Sequence, residues 1–348
     1  MKTTHEFICG WSNNLDKVSD KSVSLIITSP PYPMIDMWDD CFSQQDSSID
    51  IYRDPQAAFE KMHLLLNQVW DECDRILIDG GFICINIGDA TRTINDTFQM
   101  FSNHSKIISY FQSLGYSVLP DIIWRKQSNS PNKFMGSGMY PAGAYVTYEH
   151  EYILIFRKGG KRMFTSASEK EMRRESAYFW EERNVWFSDL WDFKGTHQSL
   201  NLKGVRNRSA AYPFELAYRL INMYSIKGDT VCDPFSGTGT TNLAAMASER
   251  NSIGIDCLPE LSRYGFERCR ESIDYLNQYI YERIESHFKF IETLPDEKYE
   301  KCYVNMYHNF RVKTRQEMKL KLSSIDSVIF DDMEHIITVS SSPIEVSQ

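Results

Sequence analysis

Val23-Ser24-Leu25-Ile26-Ile27 is a nearly unbroken apolar run in polar surroundings, the pattern of a parallel strand buried on both faces. A second run, Thr230-Val231-Cys232, passes through a glycine-containing turn into an alanine-rich stretch at 243–247 that reads as a helix. A third, Ser252-Ile253-Gly254-Ile255, ends on Asp256, about 23 residues after Asp233. Strand, turn, helix and strand in that order predict a crossover unit of a doubly wound α/β sheet. The stretch 275–290 has helical character, and 340–343 reads as a frayed end. No apolar stretch approaches the ~20 residues of a membrane span.

The first strand runs directly into Thr28-Ser29-Pro30-Pro31-Tyr32. Proline has no N–H for a ladder and restricts the residue before it, so the strand must end there in a rigid turn. Carboxyl strand ends are where such sheets bind ligands. The turn offers a hydroxyl, a backbone carbonyl and an aromatic face, a set suited to a planar group bearing an NH2. Taken alone, it is also an ordinary proline turn.

The downstream turn, Asp233-Pro234-Phe235-Ser236-Gly237-Thr238-Gly239, has two alternating glycines that allow close backbone approach, and a helix follows it. It lacks the third glycine of the dinucleotide fingerprint, which disfavours a pyrophosphate cofactor and a nicotinamide dehydrogenase. An acid at the end of the next strand is placed to accept ribose hydroxyls. The unit therefore reads as a nucleoside site with no phosphate requirement, and S-adenosylmethionine is the common cofactor of that kind. Thr28 is expected to line the same pocket, with Asp256 on the ribose.

Composition changes the picture in one respect. The 348 residues carry a net charge of −9, which argues against a polyanionic partner. Between Arg125 and Arg208, however, 15 Lys and Arg face nine Asp and Glu, a local +6 that leaves −15 for the rest. Clusters at Lys161-Arg162, Arg173-Arg174 and Lys203, Arg206 and Arg208 are compatible with a polyanion along one face. The eight cysteines show no zinc-type spacing, so no metal is expected and reduced thiols of a cytoplasmic protein are. The amino terminus has no signal-peptide pattern.

With Ser29-Pro30-Pro31-Tyr32 preceding Phe235-Ser236-Gly237-Thr238-Gly239, the chain resembles the β-type amino-group DNA methyltransferases over most of residues 5–275. The resemblance implies a Rossmann-like fold with a mostly parallel seven-stranded sheet and permuted motif order. It divides the chain into a catalytic part (1–158), a target-recognition region (159–208), a cofactor part (209–275) and a C-terminal accessory segment (276–348). It further implies methyl transfer to duplex DNA beside a restriction endonuclease, with Ser29 pointing to cytosine N4 and Asp or Asn there being usual for adenine N6. Members often pair, so a homodimer is among the expectations. Asn86 or Asp89 is expected to assist, and the aromatics at 179–193 are read mainly as core. An adenine-N6 enzyme and a non-catalytic S-adenosylmethionine-binding regulator are the alternatives. The first departure from the family pattern is Cys9-Gly10-Trp11-Ser12, where Gly-Asp is common.

Overall fold

Strands that are apolar on both faces require helices on both sides of their sheet, and the computed structural model has that arrangement. It describes residues 1–126, 135–136, 139–195 and 212–345. In chain order the strands of its main sheet are β1 (Lys2–Cys9), β2 (Val23–Thr28), β3 (Leu77–Ile87), β4 (Ser117–Val118), β5 (Ile122–Arg125) and β6 (His150–Arg157). They continue with β7 (Leu190–Asp192), β8 (Thr230–Asp233), β9 (Asn251–Asp256), β10 (Ser323–Asp331) and β11 (Ile336–Pro343). Across the sheet the order is β7-β5-β6-β3-β2-β8-β9-β1-β11-β10, with β4 paired to β6.

The central strands β3, β2, β8, β9 and β1 are all parallel. Every residue of β2 is buried. Its side chains alternate between two cores. Leu25 and Ile27 pack with helices α6 (Phe214–Tyr224), α7 (Thr240–Ala247) and α9 (Ile273–Glu292). Ile26 faces α2 (Pro55–Ile76). The start of α2 follows from local chemistry. The Asp54 side chain accepts the Ala57 N–H at 2.9 Å, and Pro55 occupies the first turn, where its missing N–H costs nothing.

The expected seven strands are present as β5-β6-β3-β2-β8-β9-β1, but among the described residues the sheet has eleven. An open edge leaves ladder groups unpaired, and both edges here are extended, by β7 on one side and by the β10–β11 hairpin on the other. Residues 340–343 are therefore not a frayed end. Ser340 pairs with Lys2, and Ile337 and Val339 are fully buried. Segment 276–345 is continuous with the main core through α9 and this hairpin.

The 159–195 region is pinned to the same body. Arg283 of α9 holds both Glu182 carboxylate oxygens and the Tyr218 hydroxyl, and lies over the rings of Phe179, Trp186 and Tyr218. Trp186 and Trp191 are buried, whereas Trp180 is 41% exposed.

Ile337→Ala should lower unfolding stability by about 2–5 kcal/mol, as for a fully packed core position. Urea titration checks this, and a change below about 0.5 kcal/mol would instead fit a loose terminus.

Candidate active site

Parallel pairing of β2 with β8 sets Leu25 beside Val231 and Ile26 beside Cys232. Two turns some two hundred residues apart in sequence thus leave the sheet side by side. A cleft opens over both. It encloses about 1140 Å³ of space, part of it open to solvent, and is lined by Ser29, Pro31, Asp233, Phe235, Gly237 and Asp256 among others. Its far wall is apolar, built from Leu65, Leu66 and Val69 of α2 with Trp38 and Phe42.

Asp233 binds the two turns together. Its Oδ1 accepts from Thr28 Oγ1 at 2.7 Å and from the Phe235 N–H at 3.1 Å, and its Oδ2 accepts from Tyr212 at 2.8 Å and Thr241 at 2.6 Å. Burial pushes its carboxyl above the usual range, and these donors offset part of that. Thr28 is fully buried and serves Asp233, so it does not line the cleft as expected.

The glycine turn divides its labour. Gly237 has φ +50°, and its N–H donates to Asp256 Oδ2 at 3.1 Å, which brings the strand-end acid over the turn. The Leu258 N–H holds the other oxygen at 2.9 Å. Gly239 does something else. With φ +74°, an added Cβ would stand 3.1 Å from Gly265 Cα and from the Phe7 ring, so this position serves helix packing rather than close approach to a ligand. The Ser12 hydroxyl donates to the Pro234 carbonyl, while Ser236 and Thr238 also line the cleft.

On the catalytic side, Pro30 is buried and Ser29 stands at the cleft. Ser29 Oγ lies 3.0 Å from the Tyr32 hydroxyl. Tyr32 donates to Glu151 Oε2 at 3.0 Å, and Asn86 Nδ2 reaches both, at 2.8 and 2.6 Å. Burial pushes the Tyr32 phenol well above its ordinary value, and the Glu151 charge adds to it. Of the two assistants expected at the neighbouring strand end, Asn86 reaches the site. Asp89 is instead held by His104, through Nδ1 at 2.7 Å and the backbone N–H at 3.0 Å. Asn103 ties the loop down by donating to the Pro33 and Gly88 carbonyls.

Sequence reasoning does not single out Glu151, Tyr212 or Asn103. Glu151 carries the clearest signal of the three, a charge at the polar start of an apolar strand. Because β6 is antiparallel to β3, that start lies beside the carboxyl end of β3.

Of the expected basic contacts that are described, the three arginines are engaged within the protein. Arg162 makes a two-pronged pair with Asp229, at 2.6 and 2.8 Å, and packs on Gly80. Arg173 lies on Phe164, as Arg162 does, and Arg174 pairs with Glu171. With Lys161 beside them, these residues gather near the amino ends of β3 and β8, opposite the cleft. Lys203, Arg206 and Arg208 lie outside the described residues. At the carboxyl-end face, Arg125 pairs with Asp192 and Lys126 with Glu151. No metal-binding group of His, Cys, Asp or Glu occurs among the described residues, and no described helix is long and apolar enough to cross a membrane.

A family model described as DNA methylase, of the N6/N4 type, matches residues 23–267. The type II methyltransferase M.MthZI of Methanothermobacter thermautotrophicus is 51% identical over 92% of this chain and 91% of its own. M.MjaI of Methanocaldococcus jannaschii is 44% identical over 80% of this chain and 97% of its own. Among solved structures, the Thermus thermophilus protein TTHA0409 in complex with S-adenosyl-L-methionine is 29% identical, with a TM-score of 0.57 over 77% of this chain and 94% of its own. The cytosine-N4-specific PvuII DNA methyltransferase shares the fold at 18% identity and a TM-score of 0.55, over 79% of this chain and 93% of its own. With strand-end Ser-Pro-Pro-Tyr and the glycine turn meeting in one cleft, the chain belongs to the β-class of amino-group DNA methyltransferases, the N6/N4 DNA methylase family.

Proposed function

We propose that the protein methylates the exocyclic N4 of a cytosine flipped out of duplex DNA, using S-adenosylmethionine, within a type II restriction-modification system. The observation that carries the reading is that Ser29 and Pro31 open on the same cleft as Gly237 and Asp256. One wall of that cleft is apolar, and a strand-end carboxylate stands opposite, a donor and acceptor set that fits a nucleoside. S-adenosylmethionine supplies a methyl group activated on a sulfonium.

The chain's own residues do the rest. Asp256 accepts the ribose hydroxyls, as a carboxylate with room for several hydrogen bonds can. The backbone at Pro234 to Thr238 borders the remainder of the nucleoside, and α2 excludes water from its apolar side. A cytosine amine is a weak nucleophile because its lone pair is delocalised into the ring. Ser29 Oγ and the Pro30 carbonyl accept its N–H bonds, favour a more tetrahedral nitrogen and hold it in line with the methyl group. The base must leave the helix to reach this turn, and Tyr32 stands behind Ser29 rather than in the cleft lining. A neutral hydroxyl at the head of the turn, in place of an acid or amide, supports cytosine over adenine.

DNA must approach from the carboxyl-end face to deliver a base to this cleft. Lys203, Arg206 and Arg208 are proposed as its phosphate contacts. Lys161, Arg162, Arg173 and Arg174 are assigned to the body of the protein.

Ser29→Ala should lower single-turnover methylation by about 10²-fold or more while leaving S-adenosylmethionine affinity within about twofold. Nucleoside analysis of the product should yield N4-methylcytosine, and N6-methyladenine would overturn the base assignment. Asp256→Ala should weaken S-adenosylmethionine binding by about tenfold or more in calorimetric titration; unchanged affinity refutes the ribose role. Arg206→Ala should reduce the slope of log affinity against log salt by about 1, whereas the double variant of Arg173 and Arg174 to Ala should leave it unchanged. The opposite pattern in a fluorescence-anisotropy salt series would place DNA on the other edge.

A further inference from the structure

The hydrogen bonds behind Ser29 have a direction fixed by chemistry. A carboxylate only accepts, so the single Tyr32 hydroxyl proton goes to Glu151 Oε2. The Asn86 amide nitrogen only donates, and it donates to both Tyr32 and Glu151. The contact between Ser29 and Tyr32 must therefore have Ser29 as donor. Ser29 is left with its oxygen lone pairs for an incoming N–H, and behind it stands a continuous line of protons ending on an acid.

We infer that Ser29, Tyr32 and Glu151 form a proton relay that carries the amino proton of the target base to the Glu151 carboxylate. The inference rests on the proposed reaction and assigns the fate of its proton. The amine lone pair forms the N–C bond as the sulfonium S–C pair returns to sulfur, leaving a neutral thioether. The proton released from nitrogen goes to Ser29 Oγ, the Ser29 proton to the Tyr32 oxygen, and the Tyr32 proton to Glu151. The positive charge lost from sulfur is matched by the carboxylate that becomes neutral. No further reactant is required.

The surroundings suit this task. The Glu151 side chain is only 13% exposed, so its charge is held by protein rather than by bulk water. Lys126, at the end of β5, pairs with its other oxygen and lies over Trp124. From β3 it is faced by Asn86, and an added Cβ at Gly88 would stand 3.1 Å from the Tyr32 ring and 3.3 Å from Glu151 Cγ. From the catalytic turn it is faced by Tyr32. The nearby acid on the same side, Asp89, is engaged by His104 and is not part of the line. The high phenol pKa of Tyr32 keeps it protonated, as a carrier that donates and accepts in one movement must be. Ser29 touches the base; Tyr32 and Glu151 act through it.

The test is single-turnover methylation at saturating duplex and S-adenosylmethionine, followed across pH for the wild type, Glu151→Gln, Tyr32→Phe and Ser29→Ala. Calorimetric S-adenosylmethionine affinity and thermal unfolding are recorded for each. The relay predicts a wild-type rate that falls toward acid pH. It predicts rates about 10²-fold lower in Glu151→Gln and Tyr32→Phe, loss of the acid limb in Glu151→Gln, and cofactor affinity within about twofold of wild type. Wild-type rates in both variants, or a slow Glu151→Gln that keeps the acid limb, overturn the relay. If Ser29→Ala alone is slow, the relay is wrong and the proposed site stands. If Ser29→Ala is also fast, the site itself is misassigned.

Discussion

A buried carboxylate must be hydrogen-bonded or it will not stay ionised, and the site is organised around that requirement at Asp233. Its four donors come from separate parts of the chain: Thr28 at the end of β2, Phe235 in the glycine turn, Tyr212 ahead of α6 and Thr241 in α7. Each donor is held by the need to satisfy the same two oxygens. The turn that begins at Ser29 and the turn that ends at Gly239 are thereby fixed relative to each other, although neither touches the other in sequence. A donor lost from such a centre leaves a buried charge short of a partner, at a cost of about 1–3 kcal/mol. The parallel pairing of β2 with β8 sets the distance, and Asp233 sets the alignment.

The same logic extends outward in layers. Asp256 is steadied by the backbone at Gly237 and Leu258, and the Thr238 carbonyl is held by Arg268 of the helix Pro259–Glu271. On the other turn, Ser29 is backed by Tyr32, Asn86, Glu151 and Lys126, the last three from three further elements. Groups that face substrate are few, and the groups that aim them are many. That ratio is expected where nucleophile and methyl donor must meet in line.

Much of this is legible in the sequence because it is local. Two prolines end a strand whatever surrounds them, alternating glycines open a turn, and an acid at a strand end is visible as such. What is not legible depends on where distant segments arrive. Thr28 adjoins Ser29 and so reads as a cleft residue, yet its partner lies in β8. Gly239 reads as a cofactor contact because of its motif, and the space it leaves is filled by Gly265 and Phe7. Glu151 gives little sign of its place because β6 runs against its neighbour, a direction that an apolar run does not reveal. The basic clusters at 161–174 read as one charge pattern with those that follow, but the chain turns at Arg157 and carries them to the amino ends of the sheet. Residues 340–343 look unstructured because serines carry little strand signal until β10 pairs with them and β1 takes up Ser340.

If the two strand ends form one methyl-transfer site, a crystal structure of the protein with S-adenosylmethionine bound should show it without a kinetic intermediary. The ribose hydroxyls should lie on Asp256, the nucleoside against the α2 wall, and the methyl group should be turned toward Ser29 and the Pro30 carbonyl. A cofactor seated outside this cleft, or one whose methyl group points away from Ser29, would contradict it.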